Sequence, residues 1–366
     1  MNSNISIPFY VKFAFIVIGI FAFISALYIS QQIVVPLIYA TILAILLNPL
    51  VNYFVNHRIN RVVAISIAVT ISILIFFSLI YFILGRLSVF SETYPKLEEK
   101  ILETSAQVVK WFSQTFNIRI YKINAWIEKN RIDVINNMGG AIGQTISAIN
   151  SILIIVVLLP VYLFMILYYK NLLLEFIRRI FHISYHAQVF DVLIGSKKII
   201  QSYLIGLLVE VAIIAALNSI GLLLLGIEYA IVLGIIGALL NIIPYIGGVI
   251  ATALPMIIAY ITKDSSTYAF LVLILYLLIQ FIDNHFIIPR VVASRVKLNA
   301  LISIISVLAG GALWGVPGMF LSIPLTAIIK VICDHIEPLK PWGYLLGNIV
   351  PTNKRHIRFK RKKIKL

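Results

Sequence analysis

Three groups of polar residues stand where the sequence is otherwise apolar. Asp283 and Asn284, with Gln280 and His285, fall in "QFIDNHFIIPR", residues 280–290. A carboxylate beside amides can hold a cation or exchange a proton, and ionisable groups inside apolar spans mark solute or ion pathways. The alternative for Asp283 is an interfacial carboxylate paired with Arg290 or Arg295. Glu210, in "YLIGLLVEVAIIAALNSIG", has Asn218 eight residues along, about two turns on the same helical face. Such an acid is tolerable only where it faces protein or water. Asn241 opens the third group, "NIIPYIGG", in which Pro244, Tyr245 and Gly247 follow in the middle of a long apolar run. Pro removes a backbone donor and Gly permits sharp reversal, so this run is built to break.

The elements that carry these residues are membrane helices. The chain has 366 residues, 61% of them hydrophobic and only 12% charged, a composition that cannot cover a soluble domain with polar surface. Apolar segments run over 9–29, 33–55, 62–84, 148–169, 203–226, 229–262, 267–288 and 299–333. Six are about 20 residues long, enough for one crossing, whereas the two longest, 229–262 and 299–333, exceed one crossing and fall short of two. The two-residue alternation of a membrane barrel is absent, which leaves helix as the spanning state. The fold class expected is therefore an all-α polytopic membrane protein of about eight hydrophobic segments. Cys333 is the single cysteine, which excludes an internal disulfide and a cysteine-based metal cluster.

The net charge of +16 is placed as the positive-inside rule places it. The tail "NKRHIRFKRKKIKL" holds eight Lys/Arg and no acid, and belongs in the cytoplasm beside anionic lipid. The "NHRINR" turn and residues 170–200 are basic as well and fall on the same side. This location speaks for lipid rather than nucleic acid as the partner of the charge. The organisation expected is residues 1–84, three transmembrane helices; 85–147, an extracytoplasmic amphipathic helical insertion; 148–202, a fourth transmembrane helix and a cytoplasmic interfacial helix; 203–333, a core with two broken segments; and 334–366, a basic cytoplasmic tail. His182 and His186 are four residues apart, a metal-ligand spacing if one helix carries both, but no third ligand accompanies them.

Both long segments break in the middle. The first has Pro244 with Gly247 and Gly248; the second has Gly310, Gly311, Gly315, Pro317 and Gly318, with Pro324 beyond. Broken backbone at membrane depth survives only against protein or a water-filled cavity. Either segment could be a kinked crossing or a re-entrant hairpin. The "PRVVASRVK" loop, with Arg290, Arg295 and Lys297 and no acid, lies inside only if both are hairpins, and its charge favours that reading. Span 203–226 with one hairpin, then span 267–288 with another of opposite sense, makes an inverted repeat, in which interrupted segments point to a midplane binding site. The alternative is that Gly and Pro merely allow helices to approach closely.

The order "LLGIEYAIVLGIIGALLNIIPYIGGVIATALP", "DNHFIIPRVV" and "LAGGALWGVPGMFLSIPLTAIIKV" resembles the autoinducer-2 exporter (AI-2E) family of bacterial membrane transporters, and "PLIYATILAILLNPLVNYF" fits its second helix. The resemblance covers roughly residues 10–340. It implies a multi-pass protein of the bacterial inner (plasma) membrane, with both termini cytoplasmic, that forms a homo-oligomer. Members are associated with export of a small quorum-sensing molecule, others with exchange of sodium or lithium for protons. The family's motifs fall on Asn241, Pro244, Tyr245 and Gly247; on Asp283, Asn284 and Pro289; and on Gly310, Gly311, Gly315, Gly318 and Pro324. Departures occur at Leu207, Ser294 and Ala300, and Asp283 stands where Glu is usual; these bear on substrate more than on fold.

Three functions compete: export of a small polar solute by alternating access, monovalent cation/proton antiport, and a non-transporting membrane scaffold. The third needs neither buried acids nor matched breaks. No phosphate loop, HExxH element or dinucleotide fingerprint is present, so the sequence points away from an enzyme and calls for no cofactor.

Overall fold

The computed structural model of the chain describes residues 8–87, 156–243, 246–263, 265–293 and 298–348, together with 110, 113, 114, 121 and 296. Pro244, Tyr245, Ser294 and Arg295, most of the 85–147 insertion and the basic tail lie outside the described residues. Among those described the regular structure is helical: α1 (Phe9–Ile29), α2 (Gln31–Asn56), α3 (Arg61–Leu87), α4 (Val156–Tyr168), α5 (Lys170–Ile180), α6 (His186–Leu224), α7 (Ala230–Asn241), α8 (Ile246–Thr262), α9 (Ser266–Ile282), α10 (Ala300–His335) and α11 (Lys340–Leu346).

Helices α2, α3 and α4 pack through small residues. Ala40, Ala44, Ala64 and Ala68 are buried with Ile65 and Leu163 between them, since lipid supplies no hydrophobic drive and close backbone approach must replace it. At Tyr169 the chain turns by 67° into α5. Leu172, Phe176 and Ile180 are exposed on α5, while Arg178 and Arg179 pair with Glu175 on the same helix. That is the pattern of a helix lying along the membrane surface.

The stretch that follows α5 is not a separate helix. From His186 the chain is one helix of 39 residues into the span, about 58 Å at 1.5 Å per residue, well beyond the ~30 Å of a bilayer core. No proline interrupts residues 186–224, so the change from polar to apolar composition occurs along a continuous rod. His182 and His186 do not share a helix: His182 precedes a short 3-10 turn and its Nδ1 lies 2.9 Å from Ser184 Oγ, while His186 Nε2 lies 3.1 Å from the Phe181 carbonyl.

Both long segments fold back on themselves. In the first, α7 and α8 have 12 and 17 residues, and Ala230 and Leu233 pack with Ile258 and Ala259 across the pair. Before it, α6 stops at Gly226, whose φ of +65° lets Gly226 N–H reach the Leu223 carbonyl and Ile227 N–H the Leu222 carbonyl. A Cβ on Gly226 would stand 3.4 Å from Lys263 Nζ, so the two ends of this hairpin are neighbours.

The second segment, α10, reverses at Trp314 and Gly315, where Gly315 has φ 63° and ψ −145°, backbone that only glycine adopts without strain. In a straight helix Ser306 and Thr326 would be about 30 Å apart. Instead Thr326 Oγ1 donates to Ser306 Oγ at 2.9 Å. A Cβ on Gly310 would sit 2.4 Å from the Gly318 carbonyl oxygen, and one on Gly318 2.0 Å from that of Gly310, so the two backbones interlock. Asn299 closes the base: it caps the first arm by accepting from Ile302 N–H and donates from Nδ2 to the Leu345 and Gly347 carbonyls.

The two hairpins open in opposite directions along α6. The base of the first lies at the C-terminal end of α6, with Leu222 in the cluster that holds Ala230, Ile258 and Val272. The base of the second lies at its N-terminal end, where Gln188 donates to the His335 carbonyl and Val331 abuts Gly195. Helix α9 runs antiparallel to α6, with Leu275 over Gly221 and Ile279 beside Ile214. Helix and hairpin are thus repeated upside down.

Two outcomes check this folding. Cysteines placed at Ala300 and Glu337 in a Cys333→Ser background are expected to react with an impermeant thiol reagent from the same side of the membrane; labelling from opposite sides would mean that α10 crosses once. Gly315→Ala is expected to lower stability by about 1–3 kcal/mol through backbone strain, read as a lower unfolding temperature in detergent.

Candidate transport site

Asp283 follows α9 where the helix widens into π-helical turns over Asp283–Ile287 and Pro289–Ala293. Pro289 supplies no backbone donor there, and such wide turns recur at functional positions. The Asp283 side chain is fully buried, and its Oδ2 accepts from Asn241 Nδ2 at 3.0 Å. Its Oδ1 has no partner among the described residues. Among the described residues no cation pairs with this carboxylate, and Arg295 lies outside them. The contact joins the tip of the first hairpin to the end of α9.

Around that contact lies a cavity of about 740 Å3, lined by α6, the two arms of the first hairpin and α9. Its polar groups are Glu210, Asn241, Thr252, Gln280, Asp283 and Asn284, set among Val249, Met256 and Leu277. Glu210 is 7% exposed, and none of the described residues donates a hydrogen bond to it. Gly248 lets the second arm pass close: a Cβ there would meet Gln280 Oε1 at 2.8 Å. Gly247 is a tighter case, because its Cβ would fall 1.9 Å from the Leu240 carbonyl oxygen. The break is thus a close approach of two backbone segments as well as a bend.

Of the residues singled out from the sequence, the structure brings Glu210, Asn241, Asp283 and Asn284 to this cavity and Gly247 to its edge, at the hairpin turn. Asn218, on the Glu210 face of α6, is 1% exposed and sits one chamber away, beside Asn241 and Asp283. Gly310, Gly311, Gly315, Pro317 and Gly318 are not in the wall of the cavity; they make the tip of the second hairpin. That tip is held by α1 and α2, with Trp314 Nε1 donating to the Leu27 carbonyl at 3.1 Å and Tyr39 OH donating to the Pro317 carbonyl at 3.1 Å. Tyr276, buried on α9 in the cavity wall, went unremarked in the sequence. A tyrosine in an apolar helix reads as an interfacial anchor, and only its position one turn from Gln280 could have set it apart.

A helical membrane protein with two broken hairpins, the first of which borders a polar cavity, belongs, by architecture, with multi-pass membrane transporters. Residues 14–337 match the AI-2E family transporter family, and the chain belongs to that family. It is similar to the Bacillus subtilis protein named "Putative transport protein YueF", 26% identical over 234 residues, or 63% of each chain. It is also similar to the Escherichia coli K12 protein named "AI-2 transport protein TqsA", 34% identical over 125 residues, covering 34% of this chain and 36% of that one. Both matches span less than two thirds of the relative's length.

Asn241→Leu is expected to destabilise the protein, since it leaves the Asp283 carboxyl buried without its one partner, at a loss of about 1–3 kcal/mol or more. The unfolding temperature in detergent should fall, and Asn241→Leu with Asp283→Leu should recover part of the loss because the carboxyl left without its amide partner is then gone.

Proposed function

We propose that the chain is a secondary transporter of the bacterial inner membrane, with cytoplasmic termini, that exports a small polar solute of the autoinducer-2 kind by alternating access. The observation that carries this reading is the cavity at the first hairpin's break. Its ~740 Å3 falls in the range of small-molecule sites, with apolar walls and a few convergent polar groups. Carboxylates and amides from three elements suit a hydroxyl-rich solute, which presents donors and acceptors together. The name of the Escherichia coli relative supports the substrate class. The pathway comprises Glu210, Asn241, Asp283 and Asn284, with Pro244, Tyr245 and Gly247 shaping the tip, while Gly310, Gly311, Gly315, Pro317 and Gly318 of the second hairpin form the stationary face against which the first hairpin moves. Homo-oligomer formation and contact of the basic tail with anionic lipid accompany this reading.

A second reading is exchange of monovalent cations for protons. One observation favours it: two buried acids, Glu210 and Asp283, share a cavity wall, and Asp283 keeps one carboxyl oxygen unpartnered.

Flux into proteoliposomes separates the two. Under the first reading, an autoinducer-2-type solute moves without a sodium or lithium gradient; under the second, only cation-coupled proton movement is seen. Glu210→Gln and Asp283→Asn keep shape and remove charge, and each is expected to lower the relevant flux about tenfold or more, the loss of one hydrogen bond to a charged group. Full flux of every candidate in both well-folded variants would remove these acids from the pathway.

A further inference from the structure

Beside the large cavity, and separated from it by the Asn241–Asp283 contact, is a chamber of about 10 Å3. That volume is the room one water needs. Its wall includes Asn218 of α6, Gly237 and Asn241 of α7, Gly248 of α8, Tyr276 and Gln280 of α9, and Asp283 just after it. Three of these residues have a buried oxygen with no partner among the described residues: Asn218 Oδ1, Tyr276 OH and Asp283 Oδ1. Asn218 is 1% exposed, Tyr276 6% and Asp283 fully buried. Orphaned buried oxygens are rare, because each carries a desolvation penalty of about 1–3 kcal/mol. Three in one chamber call for a common occupant.

We infer that this chamber is a binding site for a single structural water that links Asp283 to Asn218 and Tyr276, making those two residues positioning residues for the Asp283 carboxyl. The chemistry of the three groups selects water. The Asn218 amide oxygen and the Asp283 carboxyl oxygen accept, and the Tyr276 hydroxyl donates. One water donates to the first two and accepts from the third, which completes all three groups at once. A cation could be ligated by the oxygens, but it cannot accept the Tyr276 proton. Gly237 guards the chamber: a Cβ there would stand 3.2 Å from both Asn218 Nδ2 and Tyr276 OH. The carboxyl is then fixed from both sides, with Asn241 holding Oδ2 from the hairpin tip and the water holding Oδ1 from α6. This inference rests on the reading of Asp283 as part of the transport site, but its test does not depend on transport.

Three variants of the full-length protein in detergent or nanodiscs test it. Tyr276→Phe removes the donor, Asn218→Leu removes an acceptor, and Gly237→Ala fills the chamber while leaving every polar group in place. The readout is the infrared carboxyl band of Asp283, assigned by its loss in Asp283→Asn. Each variant is expected to shift that band toward the position of a less hydrogen-bonded carboxyl, and Gly237→Ala is expected to shift it in the same sense as the two deletions. In unfolding temperature, Tyr276→Phe with Asn218→Leu is expected to be no worse than the more damaging single variant, because either one releases the same water; contacts with no shared partner would add. Unchanged bands in the folded variants, or additive losses, would overturn the inference. Tyr276→Phe, a one-atom deletion, carries the test if the others fail to fold. A structure at water-resolving resolution is expected to show one sphere within hydrogen-bond distance of the three oxygens in sodium-free buffer. A sphere that arrives only with sodium or lithium would assign the chamber to a cation and overturn the water. If flux survives Asp283→Asn while these shifts are seen, the water stands and the transport role of Asp283 falls.

Discussion

Unpaired backbone cannot face lipid, and the arrangement of this protein follows from where its two breaks must go. A helix that reverses in mid-membrane frees carbonyl and amide groups on both sides of the turn, and each needs a protein partner. The second hairpin is held by its neighbours α1 and α2: Tyr39 of α2 donates to the Pro317 carbonyl just beyond the break. Trp314, at the reversal itself, donates in turn to a carbonyl near the end of α1. The first hairpin is set against α6 and α9, with Ser219 of α6 packed under Gly234 closely enough that a methyl group there would collide with backbone. The breaks therefore dictate the neighbours, and the neighbours fix the bundle.

The two hairpins are alike in topology and unlike in chemistry. The second is sealed, with the Gly310 and Gly318 backbones in mutual contact and Met319 against Gly311, and with Tyr39 stacked on Phe320 at 5.6 Å. The first is open and polar: its tip presents Asn241 to a carboxylate and borders a cavity. An inverted repeat supplies two equivalent positions for a site, but this chain places carboxylates and amides at only one of them. Burying Asp283 with one amide partner is unfavourable unless further groups complete it, since a carboxylate in a low-dielectric setting needs most of its lone pairs satisfied.

Much of this was legible in the residues. Segment lengths of 34 and 35 with Gly and Pro at their centres pointed to hairpins, and the unopposed cations of the 289–297 loop favoured the same topology. Glu210, Asn218, Asn241 and Asp283 stood out because a polar group in an apolar run has to be explained. What escaped has physical reasons. The continuity of α6 was hidden because composition changes near residue 200 while nothing there breaks a helix; the interface and the span share one rod. The Gly310–Gly318 interlock is a contact between backbones eight residues apart, which has no signature until the turn at Trp314 and Gly315 is known. Tyr276 and Thr252 escaped because a hydroxyl on an apolar helix is common and becomes meaningful only when three helices converge on it.

Helix α6 is the element on which both halves of the repeat are built. The first hairpin rests on its C-terminal part through Leu222 and Ser219, the second on its N-terminal part through Gln188, Gly195 and Leu204, and Glu210 and Asn218 lie between. Neither hairpin is interleaved with the other along this rod. On the alternating-access reading, the simplest motion is therefore a shift of one hairpin against α6 while the second holds its place. Packing through glycine and serine favours such a shift, because small side chains present a smooth surface with few interlocking rotamers to unlock. Movement of the first hairpin would carry Asn241 relative to Asp283, opening or closing the cavity at the one place where its polar wall is a single hydrogen bond thick. The second hairpin, pinned by Trp314 and Tyr39 to the first two helices, would then serve as the fixed reference against which that movement is made.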